Sequence, residues 1–123
     1  MTYRYELRDH ETYVEAFVAG EFGGVAEAVR MYDAIGRHCD AIGCRSLLIL
    51  RDYAIAPSPE EGRLLMSELT RIDSMAPLRV AYVVPDATKR IIELVEMANA
   101  YRRTMWRVFT SEDDARAWIS KSD

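Results

Sequence analysis

The sequence predicts a single α/β domain with a mainly parallel sheet, entered through an N-terminal β-hairpin. Three observations carry this expectation. Short alternating or continuous apolar runs recur along the chain, separated by longer stretches whose apolar residues stand three and four apart. After the first two strand-like runs, strand and helix patterns alternate, the order produced by right-handed crossovers between parallel strands. Glycine, proline and capping side chains fall at the joints. The expected order over residues 1–123 is β-β-α-β-α-β-α-β-α, one domain with four helices.

Each element has its own reason. Tyr3-Arg4-Tyr5-Glu6-Leu7-Arg8 alternates apolar and polar residues, the period of a half-buried strand. Asp9-His10-Glu11 is a polar turn, and Thr12–Ala19 is rich in β-branched and aromatic residues, so a second strand follows and ends at Gly20. So short a connection predicts an antiparallel hairpin. Phe22, Val25, Val29, Tyr32, Ile35, Cys39 and Ile42 make one apolar helix face, and Gly43 supplies the left-handed stop.

Ser46–Leu50 (SLLIL) is continuously apolar, as suits a strand covered on both faces. Arg51-Asp52-Tyr53 is expected to leave that strand for a loop. Ser58-Pro59-Glu60-Glu61 reads as N-cap, first helical residue and capping box of a second helix running to about Ser74. Pro77 breaks it, and Leu78–Val84 is a further strand. Thr88–Arg103 reads as a third helix, Met105–Phe109 as a short last strand, and Thr110–Asp114 as the acidic start of a final helix with Ala115, Trp118 and Ile119 on its apolar face.

Composition narrows the class of function. Half of the 123 residues are apolar and 29% are charged, with 20 acidic and 16 basic residues and a net charge of −4. That balance excludes disorder and gives no basic excess for nucleic-acid binding. No run approaches the roughly 20 apolar residues of a membrane span. Charges among the first ten residues with no apolar stretch behind them argue against a secretory signal, so the cytoplasm is the expected location. Two cysteines, Cys39 and Cys44, make no disulfide framework.

The hairpin ending in Gly20, the strand SLLIL followed by Asp52, and the ending Arg107-Val108-Phe109 to Ala115-Arg116-Ala117-Trp118-Ile119 resemble the SpoIIAA-like group of STAS domains (sulfate transporter and anti-sigma factor antagonist). The resemblance covers nearly the whole chain in element order. It implies a small α/β domain that is not an enzyme, needs no cofactor, and serves as a phosphorylation-switched protein partner, a transporter tail or a ligand-sensing module. A further branch of the group is described with lipid-binding SEC14-type domains, and this chain looks similar to it. In antagonists of the group an Asp followed by hydroxyl residues opens the helix after the central strand. Here Asp52 is followed by Tyr53-Ala54-Ile55, and the nearest serine is Ser58. Ser58 is therefore read first as a helix cap and second as a phosphate acceptor.

The remaining chemistry is sparse. His10, His38, Cys39 and Cys44 match no zinc spacing, so no metal is expected. No Gly-x-Ser-x-Gly occurs, and His38 and Cys39, adjacent on a helix, diverge by about 100°. Gly20-Glu21-Phe22-Gly23-Gly24 lacks the lysine and spacing of a phosphate loop. No catalytic residue is assigned. The third helix is the anomaly, because Ile91, Ile92, Leu94, Val95, Met97, Ala98, Ala100 and Tyr101 fill more than one stripe. Either it is buried between sheet and neighbouring helix, or it carries an exposed apolar surface; Met66, Met75 and Met105 add adaptable apolar groups nearby in sequence. The surface expected from this reading is Ile92, Val95, Met97 and Tyr101, with the loop of Asp52, Tyr53 and Ser58 beside the strand ends. A homodimer contacting a regulatory protein is the first expectation, and a carrier of an apolar or lipid-like small molecule the second.

Overall fold

A computed structural model of the chain describes residues 3–21, 23–55, 59–69, 71–84, 89–102 and 105–121. Within them the elements run β1 (Tyr3–Asp9), β2 (Val14–Glu21), α1 (Val25–Ile42), β3 (Ser46–Ile55), α2 (Pro59–Leu69), β4 (Arg79–Val83), α3 (Lys89–Arg102), β5 (Met105–Phe109) and α4 (Glu112–Ile119). This is the predicted order. The strands lie side by side in sequence order. β1 is antiparallel to β2, and β2, β3, β4 and β5 are parallel.

Where the helices sit follows from that order. Right-handed crossovers that always step in one direction place their helices on one face of the sheet. The core beneath α1, α2 and α3 accordingly gathers Val14, Ala16 and Val18 of β2, Leu47 and Ile49 of β3, and Val80 and Tyr82 of β4. The alternate residues Leu48, Leu50, Ala81 and Val83 turn to the opposite face and meet Ala115 and Ile119 of α4. The run SLLIL is apolar at consecutive positions because β3 is covered on both sides, as the sequence suggests.

α4 covers β3, β4 and β5. The same face of β1 and β2 carries Arg4, Glu6, Arg8, Glu15 and Phe17, with the arginines and Glu6 exposed and Phe17 39% exposed. β1 therefore exposes Arg4, Glu6 and Arg8 on one face and turns Leu7 towards the core on the other, which explains why β1 alternates and β3 does not.

Helix ends behave as their residues dictate. Gly43 takes φ 71° after α1, and the N–H of Gly43 and of Cys44 donate to the carbonyls of Asp40 and Cys39. Ser111 caps α4, its hydroxyl accepting from the Asp114 N–H at 3.4 Å.

Several boundaries differ from the sequence reading: β1 includes Asp9, β2 runs through Gly20 to Glu21, α1 starts at Val25, and three further differences have a clear physical reason. β2 starts at Val14, since the His10 N–H donates to the Tyr13 carbonyl and closes the hairpin there. β3 continues through Arg51-Asp52-Tyr53 to Ile55, because β2 is long enough to pair with it, Val18 to Arg51, Ala19 to Asp52 and Gly20 to Tyr53. α2 ends at Leu69 rather than near Ser74. Ile72, Met75 and Leu78 are buried at intervals of three, so the apolar spacing continues. The backbone instead makes short turns, with Met75 N–H to Ile72 O and Leu78 N–H to Met75 O. Met75, read from the sequence as an adaptable surface group, is 1% exposed.

Candidate interaction surface

The structure separates the apolar residues of α3. Val95 is 2% exposed and belongs to the core under the sheet, so it is not a surface residue. Ile92 is half-buried, and Met97 is 67% exposed. The side chain of Tyr101 lies outside the described residues. Among the described side chains of α3, Val95 packs inward and Met97 faces water. α3 is also fastened to the sheet edge. The Asn99 amide donates through Nδ2 to the Trp106 carbonyl at 2.6 Å and accepts from the Trp106 N–H at 3.0 Å. One side-chain amide thus satisfies both backbone groups of the second residue of β5, as a neighbouring strand would.

Of the expected loop, Asp52 is exposed, in the C-terminal half of β3. Tyr53 is part of the same strand, with its side chain outside the described residues, and Ser58 lies outside them altogether. Asp52 and Tyr53 are therefore strand residues, corrected from loop residues.

A groove that the sequence did not single out lies on the bare half of the sheet. Glu6, Arg8, Glu15 and Phe17 line a volume of about 270 Å³. Its floor is anchored by a charge network. Glu15 has 10% of its side chain exposed and accepts from Arg116 Nη1 at 2.8 Å, with His10 Nε2 at 3.0 Å. Arg116 also donates to the Tyr13 hydroxyl at 3.1 Å and to Glu112 at 3.0 Å, and the His10 and Tyr13 rings stack at 4.5 Å. Burial alone would raise the Glu15 carboxyl, but the hydrogen bonds and charges of Arg116 and His10 outweigh it and hold the group below its ordinary range. Arg116 is shifted up, chiefly by its bond to Glu15. The network ties α4 to the hairpin. One signal for it was available, since Glu15 is the single charge in the strand TYVEAFVA.

The C-terminal motif also has a physical basis. Ala115 and Ile119 seal the second core, while Arg79 stands 3.9 Å from the centroid of the Trp118 ring, with Arg107 at 5.9 Å and Phe109 at 5.6 Å. Arg107 lies 5.1 Å from the centroid of the Phe109 ring.

The groups considered for nucleophilic or metal chemistry are otherwise engaged. His38 Nε2 is 2.8 Å from Asp9 Oδ1. Cys39 is fully buried, and burial pushes its thiol up to about 12, with smaller contributions from Cys44 and Asp9. Among the described residues no three His, Cys, Asp or Glu side chains are grouped to hold a metal ion. A colourimetric thiol reagent is expected to modify the half-buried Cys44 in the native protein and Cys39 after unfolding. Rapid reaction of two thiols in the native state would overturn this.

No protein-family model matches the chain, and no curated protein matches its sequence. The fold does match a solved structure, that of an anti-sigma factor antagonist from Mycobacterium paratuberculosis. The match has a TM-score of 0.56 and 17% identity, and covers 97% of this chain and 95% of that one. The fold is SpoIIAA-like. No described helix is long and apolar enough to cross a membrane. The Arg-x-Phe and Ala-Arg-Ala-Trp-Ile ending that suggested the group is here a packing motif, which closes the second face of the sheet and anchors Glu15.

Proposed function

We propose that this chain is a non-enzymatic, cytoplasmic regulatory domain that acts by binding a protein partner, and that it does so as a homodimer. The observation that carries the reading is the SpoIIAA-like fold, shared over nearly the full length with an anti-sigma factor antagonist. The residues assigned to partner binding are the exposed Met97 on α3 and the exposed Asp52 of β3, which lie on opposite faces of the sheet, Asp52 on the same face as Leu48 and Leu50. Charged side chains line the described cavities, among them Arg30, Asp33, Arg37, Glu68, Arg71 and Asp73 in one and Glu6, Arg8 and Glu15 in another. Such linings favour a protein partner over an apolar small molecule.

The test is a surface plasmon resonance titration against the anti-sigma kinase domains of the same genome. Saturable binding is expected for one of them, weakened roughly tenfold or more by Asp52→Arg or Met97→Asp, a loss of about 1.4 kcal/mol. Absence of binding to every such domain overturns the reading.

A further inference from the structure

We propose that the outer edge of β1 is a self-complementary docking edge, on which a second copy of this chain lays its own β1 antiparallel and joins the two sheets into one. The inference rests on the homodimer reading above and names its interface.

The two edges of the sheet are not equivalent. At β5, Asn99 occupies the backbone N–H and carbonyl of Trp106. Among the described residues nothing comparable closes β1, which has β2 on one side and no strand on the other. The direction of its free groups follows from the hairpin. The His10 N–H donates to Tyr13 O, so His10 pairs with Tyr13 across a hydrogen-bonded position. Such positions alternate along an antiparallel ladder. Arg8, Glu6 and Arg4 therefore direct their backbone groups at β2, and Asp9, Leu7 and Tyr5 direct theirs outward.

Charge then selects the register. Arg4, Glu6 and Arg8 stand exposed on one face with alternating sign. A two-fold axis through Leu7 sets Leu7 opposite Leu7 of the partner subunit, Tyr5 opposite Asp9 of the partner subunit, and Glu6 opposite Arg8 of the partner subunit. Symmetry makes the last pair twice. The outward-directed residues fall at the hydrogen-bonded positions, and the Glu–Arg pairs fall at the positions between, where facing side chains come nearest. An axis through Glu6 would instead oppose Glu6 to itself and Arg4 to Arg8, like charge against like. Charged edges usually deter pairing; this sign pattern deters the Glu6-centred register and admits the Leu7-centred one.

Two further observations agree. Tyr5 and Phe17, each 39% exposed, flank this edge. The groove residues Glu6, Arg8 and Phe17 are exposed beside the buried Glu15 that Arg116 of α4 holds, on the face that the added sheet would extend. In the Leu7-centred register Arg8 sits between Glu15 on its own β2 and Glu6 of the partner subunit. A Tyr5-centred register would also pair Glu6 with an arginine, Arg4, but would leave Arg8 out of the ion pairs.

The experiment is multi-angle light scattering over a dilution series, on the wild type, Glu6→Arg, Arg8→Glu, and an equimolar mixture of the two variants. The wild type is expected at twice the chain mass. Each variant alone sets like charges opposite each other twice, and its dimer should weaken roughly tenfold or more. The mixture should recover the wild-type dimer, because every arginine at these positions again faces a glutamate. Circular dichroism melts confirm that each variant is folded. As a second measure, the amides of Tyr5, Leu7 and Asp9 in the wild type should be protected from hydrogen exchange at high concentration and exposed on dilution.

A wild type that stays monomeric overturns the homodimer reading and this interface together. A dimer indifferent to both variants, or one whose three amides exchange freely, overturns the β1 edge and leaves the homodimer reading standing. A dimer weakened by Glu6→Arg but not by a folded Arg8→Glu overturns the Leu7-centred register.

Discussion

Replacing Glu15 with alanine is expected to lower the unfolding free energy by about 2–4 kcal/mol, one of the larger effects a single polar substitution can have here. The carboxylate is largely withdrawn from water and receives Arg116 and His10 on the same oxygen. Removing it leaves the half-buried Arg116 with Glu112 and the Tyr13 hydroxyl as its remaining partners. The pH dependence has a definite sign. The native carboxyl titrates below its ordinary value, so the unfolded chain holds that proton more tightly than the native one. The contribution of Glu15 is therefore complete above the ordinary glutamate range, near pH 4.5, and is lost as pH falls through the native value. Urea unfolding of the wild type and of Glu15→Gln checks this. The stability gap should be present above about pH 5 and shrink below about pH 4. A gap of the same size at pH 3 and pH 7 would show that ionisation of Glu15 is not what stabilises the fold.

Enlarging Gly36 is the second large effect. This glycine is buried inside α1, where alanine would ordinarily favour the helix by roughly 1 kcal/mol. A Cβ here would stand 2.5 Å from Ser74 Oγ and 3.0 Å from the Ser74 backbone carbon. The serine cannot simply swing away, since its hydroxyl donates to Asp33 Oδ1 at 2.7 Å. Gly36→Ala is expected to destabilise by about 1–3 kcal/mol net, and Gly36→Val by more. Thermal melts should show Tm falling by roughly 5–10 °C for the alanine variant. Adding Ser74→Gly should restore part of that loss by clearing the contact. An alanine variant as stable as the wild type would mean that α1 does not approach the segment after α2 so closely.

Most of the architecture was legible because local pattern and burial agree. SLLIL is apolar throughout and is covered on both faces; Gly43 is a helix stop and takes a positive φ; Ser111 stands before three acidic residues and caps α4. The errors arose where tertiary context outweighs spacing. Ile72, Met75 and Leu78 keep a helical rhythm while the chain turns, and Arg51-Asp52-Tyr53 look polar enough for a loop yet pair with β2. The surface was harder to read. Val95 and Met97 are two residues apart and similar in character, yet one is in the core and the other in water. Periodicity could not rank them because α3 carries more apolar residues than one face holds. The Glu15–Arg116 pair joins residues 101 positions apart, and no local window can contain it.

The Asn99 clamp on β5 bears on how far association can go. A sheet with two receptive borders can accept a neighbour at each, head to tail, and nothing in such an arrangement makes it stop; the product is a filament. By occupying the backbone groups of Trp106 with a side chain of its own, the protein makes that position of the β5 border unavailable to a neighbouring strand. A particle with a single receptive border is spent once it has met one equal. If β1 docks a second copy as proposed, the amide that fastens α3 to β5 is also a guard against runaway polymerisation, and assembly ends at two copies.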